Sequence, residues 1–336
     1  MSDMQMTRRH FAGIAAVGAT TLGASLVGCS SGTPAASSAA ASSAAEAAAS
    51  SAEEAAASSV PAEETEKAMA RPVILVTSFG TSFPESRHIT IGAIESAIRE
   101  SFPDYDVRRA FTAQIVIDHI EEDTGRHIDN FEEAMDRAIA DGAPKIIVQP
   151  THLTDGAEFG DISDSVDNYI AQGVDVVLGT PLLTTDKDYT DVCDAVTQEM
   201  AQYEADDTAI ILMGHGNEAS PHGAYDKFQE TLNTAGKKTY FVCTVEQTPG
   251  FDETVAFVKD GGYTKAVLRP LMVVAGDHAN NDMAGTGETE NGEVDPESLA
   301  GMLIAEGVEV TSVVEGLGQI DEIDDIYVEH VKASIG

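Results

Sequence analysis

Basic residues are scarce in this sequence. Its 336 residues include only 19 Lys and Arg against 57 Asp and Glu, a formal net charge of -38. A chain so short of cations cannot grip a phosphate backbone, which excludes nonspecific nucleic-acid binding. The same shortage excludes docking on anionic lipid through a basic patch. Cysteine is also rare, at three residues, so the fold does not rest on a disulfide framework. Cys243 lies in an apolar, strand-like run, and with Cys193 it reads as one of two buried thiols rather than half of a bridge. No confident membrane span is present either. The apolar run Ala12–Gly28 is too short and too rich in Gly, Ala and Thr.

That run has the marks of an address. It follows Thr7-Arg8-Arg9-His10-Phe11, a twin-arginine pattern, and ends in Leu26-Val27-Gly28-Cys29, which resembles a bacterial lipobox. The resemblance implies cleavage before Cys29, a lipid on that residue, and export of an already folded chain. Any membrane contact then runs through the lipid anchor. Residues 1–28 read as the signal. Residues 29–71, almost entirely Ser, Ala and Glu, read as a tether that cannot form a core.

The remaining chain carries most of the acid, 50 acidic residues against 15 basic ones, a surface that favours solubility and attracts cations. Val- and Ile-rich runs alternate there with helical patterns, the mark of a parallel α/β architecture. The first four runs are 73–79, 107–111, 146–149 and 174–178; the next four are 209–213, 239–244, 266–271 and 308–314. Helical periodicity covers 90–101, 131–141, 189–203, 224–235, 251–259 and 296–306, with Ile91, Ile94 and Ile98 on one face. The two sets match piece by piece. Ile74–Gly80 resembles Ile210–Gly216, and Lys145–Pro150 resembles Lys265–Pro270. The pattern predicts two similar domains, 72–205 and 206–336, with parallel sheets and helices on both faces.

Ligands in open α/β sheets bind beyond the carboxyl ends of the strands. In the second half those ends read Gly214-His215-Gly216, Val245-Glu246-Gln247 and Ala275-Gly276-Asp277-His278-Ala279. A lone strand-end histidine is commonly a hydrogen-bonded structural residue. Two imidazoles and a carboxylate at equivalent ends instead suit a borderline divalent ion such as Co²⁺, Ni²⁺, Fe²⁺ or Zn²⁺. The first half has Phe79, Thr112 and Glu158 at the corresponding places and is expected to supply an opposite wall.

Further stretches carry a resemblance. Ser78–Ser82, Arg108–Thr112, His127–Asn130, Val148–His152, Pro181–Thr184, Met213–Gly216, Thr244–Glu246 and the long Ala275–Gly285 run in order through residues 72–336. Together they resemble the anaerobic sirohydrochlorin cobaltochelatases, among the class II tetrapyrrole chelatases. The resemblance implies two α/β domains facing across a cleft, with His215, Glu246 and His278 as metal-binding and catalytic residues. It implies a divalent metal as substrate, Co²⁺ first and Fe²⁺ or Ni²⁺ as alternatives, and no organic cofactor. Gln247, where the family commonly has Gly, departs from the pattern. The partner implied is a sirohydrochlorin-type tetrapyrrole, a polycarboxylate, for which Arg87, Arg108, Arg109 and Arg269 are the expected cationic contacts. Self-neutralisation of acids is the other reading of those arginines. Asn281 and Asp282 are expected beside His278, as partners or as loop residues, and 288–297 as a solvated acidic loop. A homo-oligomer is compatible with all of this.

Location strains the reading, because cobalamin-pathway metal insertion belongs in the cytoplasm and the leader reads as export. The chain is then an extracytoplasmic chelatase, a carrier that captures haem, tetrapyrrole or metal for uptake, or an enzyme whose leader reads falsely. The complete His/Glu/His set favours the chelatase, since a haem carrier needs only one or two axial ligands.

Overall fold

Eight strands run where the apolar runs lie, and they form two sheets of identical strand order. The structure, a computed structural model, describes residues 70–216, 223–287 and 293–336. The signal, Cys29 and the tether up to residue 69 lie outside the described residues, as does part of the acidic loop. The first sheet uses β1 (Val73–Ser78), β2 (Asp106–Phe111), β3 (Ile146–Pro150) and β4 (Val176–Leu178) in the order β2-β1-β3-β4. The second uses β5 (Thr208–Gly214), β6 (Tyr240–Thr244), β7 (Lys265–Pro270) and β8 (Glu309–Ser312) in the order β6-β5-β7-β8. Every pairing is parallel. The central strands β1 and β5 are buried along their whole length, which is why they read as unbroken apolar runs rather than alternating ones.

Alternate residues of each central strand face different cores, as the two-residue period of a strand requires. Val73 and Leu75 pack outward with Phe131 and Met135 of α4 (Phe131–Ala140) and Ile162 and Val166 of α5 (Ala157–Ala171). Ile211 and Met213 pack with Val258 of α8 (Phe251–Asp260) and Leu299 and Leu303 of α9 (Leu299–Ala305). The inner residues, Ile74 and Val76 from one sheet and Ile210 and Leu212 from the other, belong to a single shared core. Ile94 and Ile98 of α2 (Ile91–Ser101), Val192 and Val196 of α6 (Asp186–Met200), and Ile323 and Tyr327 of α10 (Asp321–Ile335) complete it. Cys193 and Cys243 are buried and free, and burial lifts their thiol pKa values to about 11 and about 12, so both stay protonated.

The packing does not follow the division at residue 205. The last helix, α10, lies against α2 and β3 of the first half, and the Tyr327 hydroxyl donates to the Thr151 carbonyl at 2.8 Å. Helix α6 in turn packs on α7 (Gly223–Thr234) of the second half. Each half therefore contributes a helix to the boundary between them. No helix among the described residues is long and apolar enough to cross a membrane.

One polar residue sits badly in this shared core. Asp324 of α10 is 7% exposed, and its Oδ1 finds no hydrogen-bond partner among the described residues. Burial, with Asp321 and Asp325 adding their charge, lifts its pKa to about 8. The folded chain thus holds a proton here that the unfolded chain has already released above its ordinary carboxyl pKa. Stability contributed by this group falls as pH rises from about 4 to about 8, by up to about 1.4 kcal/mol per unit. The neutral variant Asp324→Asn should flatten that slope and be the more stable form at pH 9. Urea midpoints measured across this range check it; parallel pH profiles for the two proteins would exclude the effect.

Candidate metal centre

The second sheet brings three donor side chains to one edge. Strand β5 ends at Gly214 and β6 at Thr244, and these residues are register partners, so His215 and Val245 leave the sheet level with each other. The turn after β6 then doubles back. Val245 N and Glu246 N both donate to the His215 carbonyl, at 3.1 and 3.0 Å. This clamp sets Glu246 Oε1 3.6 Å from His215 Nε2. The chain leaving β7 reaches His278, which stands at the start of a short π-helical turn, Ala279–Met283. Such wide turns commonly mark functional positions. The rings of His215 and His278 lie 4.9 Å apart at 61°. All three side chains are accessible, at 37%, 48% and 36% exposure.

Each donor has a support. Asp282 Oδ2 lies 2.7 Å from His278 Nδ1, one helical turn away. That bond raises the imidazole's pKa, with burial opposing it, and leaves Nε2 as the ring nitrogen not engaged by Asp282. Asp277, His278 and Asp282 bring their ligand atoms within 4.8 Å of one another. His215 is held by its flanking glycines. A Cβ on Gly214 would fall 2.2 Å from the Tyr225 ring, and Gly216, at φ 81°, lies against Thr244. Gly216 N also points to the Tyr225 hydroxyl at 3.4 Å. Thr244 closes the Glu246 turn through the backbone of Gln247, donating to its carbonyl at 2.7 Å and accepting from its N–H at 3.1 Å. The departure at Gln247 therefore leaves the turn closed, because only its main chain is used in these bonds.

The first half meets this edge. Ala275 N donates to Ser86 Oγ at 3.1 Å, on α1 (Pro84–Ile89), and Val274 packs with Ile91, Phe111 and Ile117. The loop to His278 is thus anchored on the other half. Phe79 and Ile115, just beyond β1 and β2, are each 48% exposed and present an apolar surface at the first sheet's carboxyl edge. Thr112 and Glu158 also lie past the carboxyl ends of first-half strands, Glu158 in the first turn of α5. His152, just beyond β3, has both ring nitrogens sealed from solvent without a partner among the described residues. Burial lowers its pKa to about 4, so it is a neutral imidazole. Ser86 and Tyr225 carried no signal in the sequence, because their contacts join distant segments.

The four arginines differ in what holds them. Arg108 sits in mid-strand and turns toward the amino edge of its sheet, paired with Asp106 at 2.8 Å and Asp141 at 2.7 Å. Arg109 forks onto Glu95 of α2 at 2.6 and 2.9 Å. Arg269 is 2% exposed, its guanidinium beside Met200 Sδ and 4.0 Å from Glu315. Each has an acid near it, and burial of Arg269 removes it from any surface. Arg87 differs. It donates to the Thr81 carbonyl at 2.8 Å and has no ion-pair partner among the described residues. Thr81 borders Gly276, next to the loop that carries His278, so this cation is beside the centre.

Comparison with known proteins gives consistent results. The family model described as cobalt chelatase (CbiK) matches residues 72–336. A sirohydrochlorin cobaltochelatase of Salmonella typhimurium is 31% identical over 265 residues, spanning 79% of this chain and 97% of the relative. The sirohydrochlorin cobaltochelatase CbiKC of Nitratidesulfovibrio vulgaris is 26% identical over 273 residues, spanning 80% and 92%. Among solved structures, SirB from Bacillus subtilis with Fe³⁺ superimposes with a TM-score of 0.54 at 15% identity, over 79% of this chain and 95% of that one, a likeness of fold. With a model match across the whole globular part and a relative above 30% identity over nearly its full length, the chain belongs to the CbiK cobalt chelatase family.

Proposed function

We propose that this protein is an exported, lipid-anchored sirohydrochlorin cobaltochelatase that inserts a divalent metal into the tetrapyrrole with release of both pyrrole protons. The observation that carries the reading is the convergence of His215, Glu246 and His278 on one sheet edge, with Glu246 3.6 Å from His215 and the two rings 4.9 Å apart. Co²⁺ is the metal named for the relatives. Fe²⁺ and Ni²⁺ suit the same nitrogen and oxygen donors.

The metal is a substrate, so its ligands must hold and release it. Neutral imidazoles do this better than thiolates or a closed carboxylate cage. Asp282 orients His278 and keeps its Nε2 available. As the ion passes to the macrocycle, two pyrrole N–H protons must leave, and His215, when it is no longer a ligand, takes them one after the other and hands each to solvent. Glu246 beside it supplies the third donor and stabilises the imidazolium as it forms. Exposed Phe79 and Ile115 offer an apolar rest for the ring's face, and Arg87 is a cation for a peripheral carboxylate.

The test is direct. The purified full chain, given Co²⁺ and sirohydrochlorin, should convert the tetrapyrrole absorption spectrum over many turnovers. Stoichiometric binding of haem or tetrapyrrole without turnover would favour a carrier instead. Export and anchoring rest on Arg8-Arg9 and Leu26–Cys29. Cys29→Ser should move the chain from the membrane fraction to the soluble one; unchanged fractionation would remove the anchor from this reading.

A further inference from the structure

His215 is held in place by a residue outside the donor set. Tyr225 lies in the first turn of α7, its ring packed against the shared core. The ring stands so close to the end of β5 that a Cβ on Gly214 would fall 2.2 Å from it, so only glycine leaves it room. Its hydroxyl meets the turn that carries the ligand. Gly216 N donates to it at 3.4 Å, and the His215 N–H donates to the same oxygen. The His215 carbonyl accepts from Val245 N and Glu246 N, at 3.1 and 3.0 Å. The main chain of His215 is therefore fixed on both sides, by Tyr225 and by the turn that carries Glu246.

Helix α7 is itself fixed. Phe228 and Leu232 are buried in the shared core. Gln229 joins the helix to β6, an edge strand of the sheet, donating to the Tyr240 carbonyl at 3.2 Å and accepting from Val242 N at 2.8 Å. A helix tied to the sheet in this way places a side chain more precisely than a loop does. The first half offers a comparison within the same molecule. Its matching turn, Ser78-Phe79-Gly80, carries Phe79 where the second half has His215. There the crowding ring is Phe111, at the end of β2 ahead of α3 (Gln114–Thr124), 2.6 Å from a Cβ on Gly80. Both turns set an aromatic ring against a glycine, and the ring with a hydroxyl is the one beside His215.

We infer that Tyr225 is a positioning residue of the metal centre: its hydroxyl sets the His215 main chain, and through it the place of the imidazole opposite Glu246 and His278. The role rests on the reading of His215 as a metal ligand. Phenylalanine would fill the same space, so packing alone does not call for the hydroxyl. What the hydroxyl adds is an acceptor for two main-chain N–H groups at the turn. Without it those groups must turn toward another acceptor, and the 3.6 Å spacing of His215 Nε2 from Glu246 Oε1 is no longer enforced. Ion affinity depends on that spacing, because three donors must meet in one coordination sphere.

Titration of the purified full chain with Co²⁺, without tetrapyrrole, tests the inference apart from turnover. The absorption bands of bound Co²⁺ that vanish in a His215→Ala/His278→Ala chain report this centre. Tyr225→Phe should weaken Co²⁺ binding there by about 10–100-fold, the usual cost of losing a group that orients a ligand. At saturating Co²⁺ its bands should also shift, because the donors no longer sit as before; a role confined to stability would leave them in place. Gly214→Ala keeps the hydroxyl but drives a Cβ into the ring, and should weaken Co²⁺ in the same direction. Unshifted bands in Tyr225→Phe overturn the inference, as does parent-like Co²⁺ binding in Gly214→Ala. Absence of the bands from the parent chain would remove the ligand and the inference with it. Co²⁺ binding by the parent without sirohydrochlorin conversion would instead sink the chelatase reading and leave the role of Tyr225 standing.

Discussion

Turnover falls by about 10²–10⁴-fold when His215 or His278 is replaced by alanine, the range expected for loss of a positioned base or ligand. His215→Ala should lie at the deeper end, because in the proposed mechanism it removes both a donor to the ion and the acceptor for the pyrrole protons. His278→Ala removes one donor and leaves Asp282 without its 2.7 Å partner. Neither change opens a cavity, since both side chains are more than a third exposed. Unfolding midpoints should therefore move little, as for other partly exposed positions outside the core. Glu246→Gln keeps the shape and removes the charge, so it should chiefly raise the Co²⁺ concentration needed for half-maximal rate. Steady-state conversion of sirohydrochlorin at varied Co²⁺, beside urea denaturation of each variant, checks the series. Full activity in His215→Ala would remove this residue from the mechanism.

Gly316→Ala should cost about 1–3 kcal/mol of stability, the usual range for forced overpacking, and disturb the metal centre as well. The position adopts φ -72° and ψ 161°, open to any residue, so the demand for glycine is one of space. An added Cβ would stand 2.4 Å from the Val273 carbonyl oxygen and 2.9 Å from Val274 Cα. Both obstacles are backbone, and neither can swing away. The same segment is tied on each side, since Leu317 N donates to Met272 O at 2.8 Å and Gly318 N to Val273 O at 3.0 Å. Relief must push residues 273–275, which lead into the loop carrying His278 and which Ser86 pins from the other half. Turnover should then fall further than the unfolded fraction explains. Urea midpoints and turnover measured where the variant is folded give the two effects separately. An unchanged midpoint with full turnover would show that the contact yields freely.

The central strands were legible because strands buried along their length must be apolar, and the match between Ile74–Gly80 and Ile210–Gly216 announced two similar sheets. The convergence of three polar side chains was legible for a related reason. Parallel sheets place ligands at strand carboxyl ends, so His215, Glu246 and His278 stood out by their shared position and residue type, and the family resemblance implied their role. Strand position did not show which acids would hold Arg108 and Arg109. Asp141 and Glu95, their partners, are far away in sequence or on another element. Helix α10 was not distinguished, since Asp324 breaks its apolar face and an apolar face does not name the half it will cover.

Local rules thus determined the elements, the repeat and the donor types, each of which depends on neighbouring residues and a fixed period. Tertiary structure decided the crossing of α6 and α10, the Ser86 anchor, the Tyr225 ring beside Gly214, and which arginine stays clear of acids. Those depend on distances between segments brought together only when the two sheets close on a common core.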